Sequence, residues 1–270
     1  MGSRLCAGPS IRIHTRFHRH QLVDAGRNDR WPFIDGTSRA GKGVVLMISI
    51  PAGWFFMGSE GHYSWESPRH RVFVSAFRIA PTTVTRTEYQ EYLEATGHDM
   101  PRDWTNPAFS GARQPAVGIN WFDAVAYCEW ISERLGELRR LPTEAEWERA
   151  CRGGMDDREY AWGNDPPASV PYFDGEWKGP RRVGESSPNP YGLFNMGDNV
   201  HEWCSDWFSP EYYAQSPEAD PAGPDSGTRR VSRGGSWRHL VKASRVAQRS
   251  SLPPHFRYTD YGFRIVGSLL

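Results

Sequence analysis

The stretch from Ala161 to Phe208 limits the fold of this 270-residue chain more than any other feature. It reads AWGNDPPASVPYFDGEWKGPRRVGESSPNPYGLFNMGDNVHEWCSDWF, with Gly, Pro, Asn or Asp every few residues and almost no periodicity. So long an irregular stretch is unusual in a compact domain. A disordered segment would hold few aromatic residues, yet this one holds four tryptophans. We therefore expect irregular backbone held by aromatic packing, in which a bound cation satisfies clustered carbonyl and carboxylate oxygens.

Clear periodicity precedes that stretch. The segments VVLMISIPAGWFFMGS and HRVFVSAFRIA alternate in a way that predicts short, paired strands. Three helices follow, each opened by a side chain that caps free backbone N–H groups and closed by glycine. They begin after Thr85, Asn120 and Thr143 and end at Gly97, near Gly136 and before Gly153, the third running through Ala150. On the second helix we expect an apolar face of Phe122, Val125, Ala126, Trp130 and Ile131.

Composition excludes several classes of protein. The 32 basic and 32 acidic residues cancel, which argues against nucleic acid or an anionic membrane as the partner. The chain lacks the run of about 18 apolar residues that a membrane helix needs. Its four cysteines are far apart and form no CxxC pair, which fits a reducing compartment. We expect a cytoplasmic monomer.

The chain divides into a leader and one domain. Residues 1–43 are rich in arginine and poor in apolar periodicity, which predicts a disordered basic leader. They lack the continuous apolar region of a secretory signal, although an arginine-rich organelle address stays open. Residues 44–270 form the predicted domain.

Eight motifs in the domain stand in a family's order. They are IPAGWFFMGS, TTVTRTEYQEY, PAVGINWFDAVAYCEW, RRLPTEAEWERACRGG, YAWGN, PNPYGLFNMGDNVHEWCSDWF, RRVSRGGSW and YGFRIV. In this series the chain resembles the sulfatase-modifying-factor family, whose members are the formylglycine-generating-enzyme-like domains. The resemblance implies an α/β (α+β), C-type-lectin-like fold with little regular secondary structure, and structural calcium.

The segment after the GGS turn decides which chemistry the resemblance carries. Formylglycine generators of the family use two cysteines there to bind Cu(I), for which soft sulfur ligands are preferred. Here the segment reads WRHLVKASR and contains no cysteine, with His239 in the place of the first thiolate. We therefore expect neither copper nor copper-dependent formylglycine generation. Cys204 is the one cysteine near the expected groove and is a candidate reactive thiol.

A different metal is a second hypothesis. Imidazole and carboxylate ligands suit iron or zinc, and His201, His239 and His255 with Glu202 or Asp260 are the candidates. Such a site would make the protein a non-haem metal-dependent oxidoreductase of the pyoverdine-maturation or oxygenase type. The catalytic residues stay undetermined, with His239, His201 and Cys204 as candidates.

The calcium site follows from the resemblance. The family's loop binds the ion through an Asn, two backbone carbonyls and a Glu, and hard oxygen ligands are what calcium requires. The corresponding residues here are Asn195, Asp198, Val200 and Glu202. Two residues depart from the family pattern, since Asp198 stands in place of Gly and His201 in place of Trp. A second calcium loop is expected around residues 164–177.

The C-terminal loops alternate between residues that match the family and residues that do not. This pattern resembles the variable region of retroelement-diversified binding proteins, which is a third hypothesis. Aromatic residues and arginine also suit a binding surface, because they give contact area at small entropic cost. We therefore predict binding of a peptide, protein or small-molecule ligand. The predicted contacts are Trp237, Arg238, His239, Arg245, Arg249, His255, Phe256, Arg257, Tyr258 and Tyr261.

Overall fold

The computed structural model describes residues 46–165, 179–239 and 241–269. The predicted leader, residues 1–43, lies outside the described residues, as do residues 166–178 of the expected second calcium loop. The described residues combine short helices and short strands with long irregular connections. None of the described helices is long and apolar enough to span a membrane.

The three predicted helices are present. They are α1 (Arg86–Thr96), α2 (Trp121–Leu135) and α3 (Glu144–Arg152). Each begins with a capping box, in which the cap side chain and the residue three positions later satisfy each other's backbone N–H groups. Each ends at a glycine in the left-handed conformation, namely Gly97, Gly136 and Gly153.

Two details of the helix predictions are wrong. The helix α3 continues to Arg152 rather than ending at Ala150, because its last turn is buried and bonded to neighbouring segments. The apolar face of α2 has Ala124, Tyr127, Cys128 and Ile131 buried, and the predicted Val125, Ala126 and Trp130 are half-buried against the core. Phe122, which we predicted on that face, is 54% exposed.

The strands are short and form four small sheets. In chain order they are β1 (Ile48–Ile50), β2 (Gly53–Met57), β3 (His70–Val74), β4 (Phe77–Ile79), β5 (Arg139–Arg140), β6 (Asp198–Asn199), β7 (His201–Trp207), β8 (Arg230–Arg233), β9 (Gly235–Ser236), β10 (Arg249–Leu252), β11 (Tyr261–Gly262) and β12 (Val266–Ser268). The sheet orders are β1-β4-β12-β5, β10-β8-β7-β11, β2-β3 and β6-β9. The N-terminal strands thus exist as predicted, but β1 pairs with β4 while β2 pairs with β3.

Sequence periodicity missed strand β7. Its residues HEWCSDW are mostly buried, including Glu202 and Asp206, so apolar residues do not alternate with solvated ones. The strand pairs antiparallel with β8 on one side and parallel with β11 on the other, Tyr261 lying opposite His201. The pairing of β7 with β11 therefore places His201 beside Tyr261 at the N-terminal end of β7.

Arginine and glutamate side chains are buried in the interior together with the apolar core. Four arginines bond to glutamates with N–O distances of 2.5 to 2.9 Å, and we call these Arg–Glu ion pairs the frame pairs. They are Arg233 with Glu144 and Glu148, Arg245 with Glu66, Arg249 with Glu144, and Arg264 with Glu202. Burial alone would raise the pKa of Glu144, but Arg249 and Arg233 hold that pKa below its usual value. The pairs with Arg249 and Arg233 thus keep Glu144 ionised inside the protein.

Candidate metal and ligand-binding site

Three strand ends bring the predicted metal ligands together. His201 begins β7, His239 follows the tight turn after β9, and Asp260 immediately precedes β11. The backbone N–H of His201 donates to the carbonyl of Asp260 at 2.9 Å. Strand β9 needs glycine at its first position, because a Cβ on Gly235 would lie 2.7 Å from the carbonyl oxygen of Gly197. The diglycine in the sequence therefore allows the backbone of β9 to approach the backbone of Gly197 closely.

The side chains of His201, His239 and Asp260 form a compact cluster. Nε2 of His201 lies 2.9 Å from Nδ1 of His239, and Nε2 of His239 lies 3.9 Å from a carboxylate oxygen of Asp260. The donor atoms of the three residues all lie within 4.8 Å of one another. His255 and Glu202, the other metal candidates, are not members of this group.

Burial controls the charge of this cluster. Burial, followed by the charge of His239, lowers the pKa of His201 to about 4, although Asp260 acts in the opposite direction. The imidazole of His201 is therefore neutral at pH 7, with a nitrogen lone pair available for a metal or a proton. His239 faces outward, with 45% of its side chain exposed, and so connects the buried cluster to solvent.

Aromatic side chains lead from the cluster to the surface. Tyr261 lies 4.9 Å from His201, measured between ring centroids, and Tyr258 lies 6.1 Å from Tyr261. Phe256 contacts Tyr258 edge to face at 6.2 Å. Phe256 and Tyr258 are 40% and 42% exposed. We give the name loop surface to a set of exposed and half-buried residues: Trp237, Arg238, His239, His255, Phe256, Arg257 and Tyr258.

Three residues predicted to contact a ligand are buried instead. Arg245 and Arg249 belong to the frame pairs and are 5% and 2% exposed. Tyr261 is 6% exposed and packs on His201 and Trp203. The prediction that these three side chains contact a ligand is corrected, because all three are buried and contact other buried residues.

Cys204 is not placed to react. It is fully buried on β7, and burial raises the pKa of its thiol well above the usual value. A nucleophile or a soft-metal ligand must be a thiolate, and this thiol stays protonated at neutral pH. The prediction that Cys204 is a candidate reactive thiol is therefore corrected.

The predicted calcium loop is closed by its own side chains. Glu202 accepts hydrogen bonds from Arg264 and from the indole N–H of Trp147, while Asp198 pairs with Arg181. Oδ1 of Asn195 accepts from the backbone N–H of Gly184. These residues fit calcium only as a weak site, because arginine already balances both carboxylates and calcium affinity rises with ligand charge. Calcium at this loop stays a prediction.

Sequence reasoning missed the residues that support the loop surface. Ser236 donates to Oδ2 of Asp260 at 2.9 Å, Asp123 accepts from Arg257 at 2.8 Å, and Phe109 packs 6.2 Å from Trp237. The serine of the GGS turn was the available signal for the first of these contacts. Nothing in the sequence connects Asp123, which also caps α2, with an arginine 134 residues away.

Comparison with known proteins places this arrangement among characterised folds. The family described as Sulfatase-modifying factor enzyme 1-like domain matches residues 37–269. A formylglycine-generating enzyme from Streptomyces coelicolor is 35% identical over an alignment of 280 positions, gaps included. The alignment covers 80% of this chain and 87% of that protein.

Two solved structures resemble the chain over most of its length. Treponema denticola variable protein 1 is 28% identical with a TM-score of 0.73, covering 83% of this chain and 95% of its own. PvdO from Pseudomonas aeruginosa is also 28% identical, with a TM-score of 0.70, covering 83% of this chain and 94% of its own.

Proposed function

Because the chain belongs to the sulfatase-modifying factor enzyme 1-like domain family, we propose that it uses the family's scaffold to bind a peptide, protein or small-molecule ligand through its loop surface. The formylglycine-generating-enzyme-like, C-type-lectin-like fold with little regular secondary structure is confirmed. The fold alone does not define an activity, since function resides in the site that a fold carries.

The observation that carries the proposal is the contrast in exposure within the C-terminal loops. Phe256, Tyr258, Arg238 and His239 are exposed, whereas Arg245 and Arg249 of the same C-terminal region are buried in ion pairs. Rigid aromatic and arginine side chains on a fixed base provide a large contact area at small entropic cost. This is the physical design of a binding surface.

Copper chemistry is not part of the proposed function. Two thiolates are what Cu(I) favours, and the sequence has no cysteine after Cys204, whose thiol is buried and protonated. We expect no conversion of a peptide with a CxPxR motif to the aldehyde when copper and oxygen are supplied. A single mass change corresponding to formylglycine would contradict this expectation.

Selection of peptides tests the binding proposal directly. A random peptide library displayed on phage would be selected on immobilised full-length protein. Enriched peptides would then be measured on the double variant Phe256→Ser/Tyr258→Ser. The matched control is Trp54→Ser/Phe56→Ser, whose aromatic residues are 44% and 42% exposed on strand β2. We expect enriched peptides to bind the control and the wild type but not the loop variant. Equal binding to all three proteins would overturn the proposal.

A diversified binding protein is the second candidate, and one observation favours it. The loop positions that depart from the family pattern include exposed Arg238, His239 and Phe256, while matching positions are buried. The similarity to Treponema denticola variable protein 1 points in the same direction. A neighbouring reverse-transcriptase gene with a near-identical copy of the loop sequence would establish it, and isolates with invariant loops would count against it.

We also propose a monomer that works in a reducing compartment such as the cytoplasm. Support comes from the three described cysteines, which are all free and buried. Nucleic acid and membrane are not proposed as partners, because the charges of the chain cancel. Sedimentation of the purified protein tests the monomer, and a stable dimer at micromolar concentration would contradict it.

A further inference from the structure

We propose that His201, His239 and Asp260 bind one divalent transition-metal ion of the zinc or iron(II) class, with its open coordination position facing the loop surface. This inference goes beyond the proposed function, because the ion binds whether or not the loop surface holds a ligand. It also differs from the family's copper chemistry, since no sulfur takes part.

The spacing of the two imidazoles carries the first step. Ligand nitrogens about 2.0–2.1 Å from a zinc ion, at angles between octahedral and tetrahedral values, lie about 2.9–3.4 Å from each other. Nε2 of His201 and Nδ1 of His239 are 2.9 Å apart. An ion can therefore replace the proton shared by the two rings once each ring turns its lone pair toward the ion.

The buried carboxylate carries the second step. Asp260 is 3% exposed, yet the guanidinium of Arg238 approaches it only to 3.5 Å, and Arg238 is itself 48% exposed. The frame pairs, by contrast, hold their glutamates at 2.5 to 2.9 Å. A buried carboxylate without a close cation is costly, and a metal ion would supply the missing positive charge.

Surrounding bonds orient these ligands. The hydroxyl of Ser236 donates to Oδ2 of Asp260, and the backbone of Asp260 is bonded to that of His201. Such contacts around a metal site fix the direction of the ligand atoms. An ion held by Nε2 of His201 and Nδ1 of His239 takes the Asp260 carboxylate as its third ligand, and the donor atoms of the three residues already lie within 4.8 Å of one another.

The identity of the ligands sets the class of metal. Two imidazoles and one carboxylate form the ligand set of catalytic zinc and of non-haem iron(II), and they leave coordination positions open. Calcium and magnesium prefer oxygen ligands, and Cu(I) prefers sulfur. The open position lies beside the exposed edge of His239, where a carboxylate or carbonyl of a bound ligand can reach the ion.

Calorimetric titration with zinc, and titration with cobalt followed by visible absorption, test the site in the full-length protein. The leader also contains His14, His18 and His20, so all proteins are prepared with these three changed to alanine. We expect one ion per chain in this background. His239→Ala should weaken zinc binding by about 100-fold or more, since even changes around a metal site cost 10–100-fold. His255→Ala, which removes a histidine outside the cluster, should bind as the background protein does.

Several outcomes overturn the proposal. They are no stoichiometric binding by the background protein, equal affinity of the His239→Ala and His255→Ala variants, or a cobalt spectrum that His239→Ala leaves unchanged. His239 is largely exposed, so this variant should fold, and circular dichroism checks that it does. Asp260→Asn is the second variant and should also lose the cobalt signal. The measurements use metal alone, so a failure of peptide binding and a failure of metal binding remain separate results.

Discussion

The frame pairs and the loop surface are built from the same residue types but differ in what those residues contact. Arg249 is 2% exposed and bonds to both oxygens of Glu144, whereas Arg238 is 48% exposed and only approaches Asp260. Both lie in the last 40 residues of the chain. Residue type therefore does not distinguish scaffold residues from surface residues in this protein. The distinction lies in whether the arginine has a buried glutamate as its bonding partner.

The difference has a physical origin in desolvation. Removing an arginine and a glutamate from water is repaid only when several good hydrogen bonds form between them. Exposed ion pairs gain little, because water screens them and long side chains lose freedom. The buried pairs consequently hold the shape of the loops, while the exposed residues remain available for contact.

The largest expected effect is loss of a frame pair. Arg249→Ala leaves Glu144 buried with one partner fewer, and breaking a buried pair costs about 3–5 kcal/mol of unfolding free energy. Arg238→Ala, the matched control, should change that free energy by no more than about 1 kcal/mol. Urea unfolding of the two variants measures both values. Similar losses in the two variants would break the comparison between frame and surface.

The second effect concerns a buried acid that the frame pairs do not neutralise. Burial, together with the charge of Glu144, raises the pKa of Asp206 to about 7, although Ser205 and the backbone of Glu144 donate to it. The folded protein thus holds a proton that the unfolded chain releases near pH 4. The stability from this group is fully present below the unfolded pKa and is lost as the pH rises to about 7.

Asp206→Asn removes that dependence. An asparagine resembles the protonated acid, so the variant should gain stability relative to the wild type as the pH rises from 4.5 to 7, by roughly 2 kcal/mol. The difference should then stay constant up to pH 8.5. Urea unfolding at several pH values measures it, and a difference that does not change with pH would contradict the raised pKa.

Calcium is expected to have a smaller effect. Arg264 and Arg181 already balance Glu202 and Asp198, so a calcium ion at this loop should add about 1 kcal/mol. For a domain of this size that corresponds to a rise in Tm of about 2–4 °C. Thermal unfolding with calcium and with chelator measures the rise, and Glu202→Ala should abolish it. An identical Tm in calcium and in chelator would contradict the prediction that calcium binds at this loop.

The smallest effect belongs to the loop surface. Phe256→Ser/Tyr258→Ser should alter the unfolding free energy by at most about 0.5 kcal/mol per substitution, because both side chains are largely exposed. The same substitutions should abolish peptide binding. Strong destabilisation would show that these residues belong to the frame, and it would narrow the surface to Arg238 and His239.

Local signals in the sequence predicted the parts of the fold that depend on local interactions. Capping boxes and terminal glycines fixed all three helices, since caps form between residues three or four positions apart. Ordered motifs predicted the family, which the comparison confirmed. Strand β7 was missed because Glu202 and Asp206 are buried beside distant partners that no local pattern reveals.

The candidate site was predicted in part. His201, His239 and Asp260 were among the proposed metal ligands, and they lie together because β7 and β11 begin side by side and β9 pairs with β6, which precedes β7. The roles of Arg245 and Arg249 were misjudged, since an arginine in a loop sequence looks the same whether a glutamate over 100 residues away pairs with it or not. Such long-range pairing is set by tertiary structure and leaves no periodic trace.

The separation of paired arginines from exposed loops has a consequence for how this protein can change over generations. Replacing Phe256 or Tyr258 removes no member of the frame pairs. Most substitutions lose viability by destabilising a fold, and here the residues facing a ligand carry little of that burden. A few mutations in the loop surface can therefore change which ligand is bound, and none of them requires a compensating, stabilising mutation elsewhere.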